Sequence, residues 1–426
     1  MYESLEIAKK RKNNMKIYPI YTMIGLDLMF FYGIKVLFLS QVKHIDLSYI
    51  VLTESFYAFF FILLQVPINV IMDKIGSKSS IVLGNVFNLL YVILIMSASN
   101  FYQLIISELV SALAFGFKNI SETSILDISI PKTEKKSAIF SKLDSKGYSR
   151  YCYLYAITTL LSGVLYDINP YIPITLCLVF IVLSIVFSLL YDEIEVETKN
   201  NNTIRENIVN IKTGFKFIFK SNRLRSLLLM IGFIWAITTL LSTYEVSLLE
   251  NLNISATYIG IILFFTQIIR GLSAKKSKKF NEKFGNKSLT IITLTTTICM
   301  IIAGIVALGK IPFGLQIGII VFTYLIRTSV RGIYMVIKKT YMSNFSNSKI
   351  LTRIYSANSI IENIFRMIIA FTGSIVLNYM NIKYAMFFVG MLLSAITILI
   401  SSYSKTRLGL KPEKYKKEDI EYKIVE

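Results

Sequence analysis

Apolar runs of about twenty residues recur along the chain, separated by short breaks rich in charged or turn-forming residues. A helix needs roughly 20 apolar residues to cross the hydrocarbon core of a bilayer. The strands of a membrane barrel would be shorter and would alternate polar with apolar positions, which these runs do not. The pattern predicts helices over 17–40, 47–72, 79–97, 101–127, 147–167, 171–191, 224–249, 256–274, 288–309, 312–338, 351–379 and 384–403. The expected fold class is an all-α integral membrane protein with twelve transmembrane helices.

One connection is long and polar, and it divides the twelve spans six and six. The expected domains are a cytoplasmic tail (1–16), a first six-helix bundle (17–191), a central cytoplasmic loop (192–223), a second bundle (224–403) and a cytoplasmic C-terminal tail (404–426). The loop carries apolar residues at helical spacing, Ile208, Ile211, Phe215, Ile218 and Phe219, beside lysines, which predicts a cytoplasmic or interfacial helix. An internal repeat supports the division. The stretch "DKIGSK" (Asp73, Lys74, Gly76, Lys78) after the second span returns as "EKFGNK" (Glu282, Lys283, Gly285, Lys287) after the eighth. Two halves of like orientation follow.

Composition agrees with the pattern: 54% of the 426 residues are hydrophobic, 17% are charged and the mean hydropathy is +0.59. A net charge of +20 raises the question of nucleic acid. The basic residues, however, concentrate in the tails and in every second loop, while the intervening loops hold only Lys43, Lys310 and Lys383. The positive-inside rule therefore predicts cytoplasmic termini, and anionic lipid accounts for the charge better than nucleic acid does. "AKKRKNN" ahead of a long first span reads as a retained helix, not a cleaved leader. Cys152, Cys177 and Cys299 fall inside spans with no metal or disulfide spacing. The single histidine, His44, falls in an outer loop. No phosphate-binding loop and no His-Glu-x-x-His site occurs, so neither ATP hydrolysis nor metal-dependent catalysis is expected. The chain is read as a non-enzyme without cofactors.

Ionisable side chains inside a span each cost about 2.5–3.5 kcal/mol on insertion scales, so those present pair, face a cavity or serve function. Asp27 lies in the middle of the first span; it reads either as a proton carrier or as a structural partner, for instance of Lys35. The fourth span carries Glu108, Lys118, Glu122 and Asp127, with Lys118 and Glu122 four apart on one face. The tenth carries Arg327 and Arg331, two cations on one face that call for an anion, either Glu122 or a group on a solute. Glu362 and Arg366, four apart in the eleventh span, can satisfy one another. Arg150 lies near the inner end of the fifth span. Glu245 lies toward the outer end of the seventh, where it either meets a solute or snorkels to the interface.

Twelve helices, a central loop and the repeated acidic, basic, Gly, basic stretch resemble the major facilitator superfamily. The family's loop after the second helix is matched by type at Asp73, Lys74, Gly76 and Lys78, with Asn69 where Gly is usual. Two further stretches, "ETSILDISI" and "VRGIYMVIKKTYM" with "LTRIYSANSIIENI", resemble a bacterial permease or drug-efflux branch and single out Glu122, Asp127, Arg331, Gly332 and Arg353. The resemblance implies alternating access between the halves, with Glu122 and Arg331 lining a central cavity. It also implies a cytoplasmic latch in which Asp73 meets a helix N-terminus and Lys78 pairs with Asp127. The chain departs from drug antiporters in the fifth span, which offers Gly163 but no Gly-Pro pair, and in the fourth, which has Glu108 where many place Arg.

The expected function is proton-coupled efflux of a small amphipathic solute by a monomer in the cell membrane, with Asp27 and Glu122 titrating. Proton symport of a small nutrient whose anionic group meets Arg327 and Arg331 is the alternative, and a non-transporting receptor or assembly factor is the second. The expected partners are a small-molecule substrate, protons and membrane lipids.

Overall fold

The computed structural model describes residues 5–131, 136–194, 204–344 and 348–405. The helices are α1 (Leu5–Gly25), α2 (Lys35–Leu37), α3 (Leu47–Ser97), α4 (Phe101–Ser129), α5 (Lys136–Ile168), α6 (Tyr171–Leu189), α7 (Ile204–Lys220), α8 (Asn222–Asn251), α9 (Ala256–Ala274), α10 (Ser277–Phe284), α11 (Ser288–Leu308), α12 (Phe313–Asn344), α13 (Ser348–Tyr379) and α14 (Ile382–Lys405). Eleven of the twelve predicted spans fall on continuous helix, the first being the exception. Nine helices among the described residues are long and apolar enough to cross a membrane, and one of these, α3, carries both the second and third spans. The chain is a multi-pass membrane protein.

The first span differs from its expected form. It is not one helix over 17–40 but two pieces, with residues 26–34 outside regular helix, followed by α2 and a π-helical turn at Phe38–Val42. Asp27 supplies a physical reason: its Oδ1 accepts the Leu28 N–H at 2.9 Å, a local bond that competes with the helix ladder. Phe30 then adopts a positive φ of 63°. The second and third spans are continuous in α3, bent at Gly76, whose φ of 84° favours glycine. The helix expected in the central connection, cytoplasmic or interfacial, is present as α7, but the side chains it buries include Asn207, Phe217 and Ile218, while Ile208 and Phe219 are exposed.

The chain forms two compact units. The first comprises Met1–Ile45, Phe60–Asn207 and Ser255–Ile261; the second comprises Asp46–Phe59, Ile208–Ile254 and Ile262–Glu426. In the first, α1 packs on α4, α5 and α6, and Tyr18, Tyr21, Ile81, Leu126 and Tyr191 close its inner core. In the second, α8 packs on α13 and α14, and α11 on α12 and α14, around Leu227, Leu228, Ile231, Ile292 and Tyr334. Outward faces of the spans are apolar as well, with Ile93, Val179, Phe322 and Leu399 exposed, as a lipid solvent requires. Close helix approach explains two glycines. A Cβ at Gly332 would lie 2.3 Å from the Arg270 carbonyl oxygen, and one at Gly163 would lie 2.2 Å from that of Ala256.

Candidate functional site

The break in the first span is where the first unit concentrates its polar chemistry. α1 ends at Gly25 with a carbonyl that lacks a helical partner, and Lys118 of α4 donates its Nζ to that oxygen. Lys118 is buried and lies 3.7 Å from Glu122, the pair expected from their spacing. Glu122 Oε1 in turn accepts the Tyr21 hydroxyl at 2.8 Å, and Asn85 Nδ2 donates to Tyr21 at 3.1 Å. Asp27 sits half-buried in the break, where Tyr151 of α5 donates to its Oδ2 at 3.3 Å. Asp27, Glu122 and Lys118 lie close enough to act on one another's charge. The cluster therefore holds two carboxylates and one ammonium, with a phenol hydroxyl on each carboxylate, Tyr21 on Glu122 and Tyr151 on Asp27.

Four further ion pairs lie within the spans, and several partners differ from those expected. Lys35 is not the partner of Asp27: its Nζ donates to Glu108 Oε1 at 2.8 Å, with both side chains buried, and lies 5.8 Å from the Tyr91 ring centroid. Glu362 and Arg366 do not pair with each other. Glu362 bonds Lys338 and accepts Asn358 Nδ2, whereas Arg366 grips Glu54 through Nε and Nη2 and stacks 4.2 Å over Tyr57. Residues four apart on a helix need only rotate away from each other when neighbouring helices offer partners. Glu245 does not snorkel, since it is buried and bonds Arg327, and this gives Arg327 its anion. Arg327 Nε and Nη1 are nonetheless buried without a hydrogen-bond partner among the described residues. Arg331, one turn on, is half-buried and within electrostatic reach of Glu245. Arg150 is exposed on α5.

At the repeated loop, Asp127 does not take Lys78; its partner is Lys136, at 2.8 Å, across the turn from α4 to α5. The N–H groups of Ser77 and Lys78, where α3 restarts after the Gly76 bend, are accepted instead by Glu193, at 3.1 and 2.9 Å. Asp73 is half-buried and Lys74 exposed. In the second copy Glu282, Lys283 and Lys287 are exposed, and Gly285 ends α10 with a φ of 51°. The side chain of Arg353 and the tail beyond Lys405 lie outside the described residues, as do 1–4 and 195–203 of the predicted N-terminal tail and central loop.

Three acids escaped the sequence reading. Glu54 is an intramembrane carboxylate in "LTESFY" that the cost argument applied to Asp27 would have caught. Asp167 caps α9 by accepting the N–H groups of Ala256 and Thr257 at 3.2 and 2.9 Å, and Glu193 caps the second part of α3. Neither cap carries a local sequence signal, because each acid lies far along the chain from the helix end it serves.

The family model described as Major Facilitator Superfamily matches residues 17–370, and the chain belongs to that superfamily. None of the curated proteins matches it in sequence. Solved structures share the fold at low identity. A variant of the nucleoside transporter NupG aligns with a TM-score of 0.71 at 11% identity, over 93% of this chain and 99% of that one. A POT family transporter in complex with 5-aminolevulinic acid gives 0.68 at 14%, over 95% and 96%. A D-xylose-proton symporter gives 0.67 at 10%, over 95% and 99%. The protein is a transporter of the major facilitator type.

Proposed function

We propose that the protein is a proton-coupled exporter of a small amphipathic cation, working as a monomer in the cell membrane with both termini in the cytoplasm. The observation that carries this reading is the cluster at the break in the first span, where two carboxylates, Asp27 and Glu122, face one ammonium, Lys118. A site with one more carboxylate than ammonium accepts either a proton or a cationic solute, and exclusive occupation by one or the other is the minimum that antiport requires. Tyr21 and Tyr151, bonded to Glu122 and Asp27, connect the carboxylates to protons without large movement. Asp73, Gly76, Lys78 and their second copy serve the inner gate in this reading, with Glu193 holding the restarted helix.

The test is flux in proteoliposomes under an imposed pH gradient. Export of cationic dyes should follow the gradient in the wild type, and Asp27→Asn and Glu122→Gln should each abolish the coupling. Gradient-independent flux that both variants retain would refute proton coupling. A second reading, uptake of an anionic nutrient, is favoured by one observation: the two unpartnered guanidinium nitrogens of buried Arg327, Nε and Nη1, with Arg331 a turn away. Gradient-driven uptake of carboxylates or phosphates, lost in Arg327→Gln, would replace the first reading with this one.

A further inference from the structure

A helix broken in mid-membrane exposes backbone carbonyls that something must satisfy, because no water or lipid group at that depth does so. In this protein the acceptor at the end of α1 is satisfied by a side chain from another helix, Lys118, and its surroundings are shaped for that group. Gly84 of α3 makes the slot for the lysine stem, since a Cβ there would lie 2.5 Å from Lys118 Cγ and 2.8 Å from the Ala114 carbonyl oxygen. The ammonium at the end of the slot has the Gly25 carbonyl, the Glu122 carboxylate and the charge of Asp27 around it. Of its three N–H donors one is bonded to the Gly25 carbonyl, while Glu122, at 3.7 Å, and Asp27 act on it through charge. The Phe115 ring lies 6.0 Å away, a π-face that favours an organic cation. Ser121, one turn on from Lys118, is fully buried with a hydroxyl that has no partner among the described residues.

We infer that the break in the first span is a recognition site for a primary ammonium group, filled by Lys118 until the ammonium of a solute displaces it. The inference rests on the export reading and narrows its substrate class from cations in general to those bearing a primary amine. Displacement frees Lys118 to withdraw along its slot, and it balances in charge when the withdrawn Lys118 gives up its proton to the aqueous phase: one ammonium enters as one proton leaves, so no uncompensated charge is added. Directional N–H donors and an aromatic wall argue for an ammonium over sodium, which would seek more oxygen ligands.

The experiment is thermal unfolding of the purified protein in detergent, with methylammonium, ethylammonium, tetramethylammonium or sodium chloride at constant ionic strength. Lys118→Ala empties the site, and Gly84→Ala crowds the stem while keeping the lysine. Methylammonium and ethylammonium should raise the midpoint of both variants saturably, by about 3 °C, and that of the wild type only at higher concentration, since there they must first displace Lys118. Tetramethylammonium, which has no N–H, and sodium should do nothing. Equal response to all four salts, or no response in either variant, overturns the inference. If Lys118→Ala does not fold, Gly84→Ala decides alone. The measurement uses no gradient, so it is independent of proton coupling. Gradient-driven flux without amine-specific stabilisation would refute the ammonium site and leave the export reading standing, and the reverse pattern would do the opposite.

Discussion

Replacing Glu108 by Gln should leave the Lys35 ammonium stranded inside the first unit. The two side chains are 9% and 4% exposed and meet at 2.8 Å, so neither reaches solvent when its partner is removed. Two magnitudes compete for the size of the effect. A hydrogen bond between membrane helices contributes only about 0.6 kcal/mol on average, because the loosened state also finds partners. Removing one member of a buried ion pair costs about 3–5 kcal/mol, because a charge is left uncompensated. Glutamine keeps the volume and one acceptor oxygen but not the charge, so the larger figure applies, at its lower end. Tyr91 does not rescue the variant, since its ring already lies beside Lys35 in the wild type. The double variant Lys35→Met/Glu108→Leu removes both charges and fills the space with apolar groups, and it should return to within about 1 kcal/mol of the wild type.

The assay is unfolding by increasing mole fraction of SDS in mixed micelles, followed by circular dichroism, for Glu108→Gln, for Lys35→Met and Glu108→Leu singly, and for their double. A cost below about 1 kcal/mol for Glu108→Gln, with the single changes summing to the double within about 0.5 kcal/mol, would refute the reasoning. Proteoliposome flux of the double variant adds a second result. Retained flux is expected and assigns Glu108 to architecture; a stable double variant without coupled flux would return Glu108 to the titrating set.

Two further predictions concern the loops and the second unit. Gly76→Ala should cost about 1–3 kcal/mol, since the backbone is at φ 84° and a Cβ would lie 2.5 Å from Glu193 Oε1; Gly285→Ala has open space and should cost less, by the same SDS titration. Arg366→Lys keeps the charge but loses both the two-nitrogen grip on Glu54 and the stacking over Tyr57, so it should cost about 1–2 kcal/mol; a cost within error of zero would mean that charge alone holds the pair.

The spans were legible because the hydrocarbon core imposes a length and a polarity on every crossing helix, so apolar run length alone locates them. The break at 26–34 was not. "GLDLMFFYG" is as apolar as its neighbours, and the feature that opens it is a side-chain bond from Asp27 to its own backbone, which periodicity does not register. At the site, residue types were legible and partners were not. Lys118 and Glu122 were found together because both lie on α4, where four-residue spacing sets distance. Lys35 with Glu108, Glu245 with Arg327 and Arg366 with Glu54 bridge helices whose rotation about their own axes no single-sequence pattern fixes. Wherever a cross-helix partner was available, it displaced the four-residue pairing expected at Glu362 and Arg366.

That sorting by partner separates architecture from coupling more sharply than depth in the membrane does. A matched pair such as Lys35 with Glu108 is neutral and closed, and opening it costs the desolvation of two ions at once. Such a contact can hold helices but cannot cycle cheaply through partners. At the broken helix, by contrast, Lys118 shares a backbone carbonyl and Glu122, while Glu122 and Asp27 each also hold a tyrosine hydroxyl. Each ionised group keeps at least one bond while it exchanges another, so a proton or an ammonium can be traded in single steps. The same criterion marks Arg327 as the exception in the second unit. It is paired with Glu245, yet two of its buried nitrogens remain to be satisfied, and a neutral, closed pair would leave none. If the protein binds anionic groups at all, that arginine is where the cost of leaving donors unmade is recovered on binding.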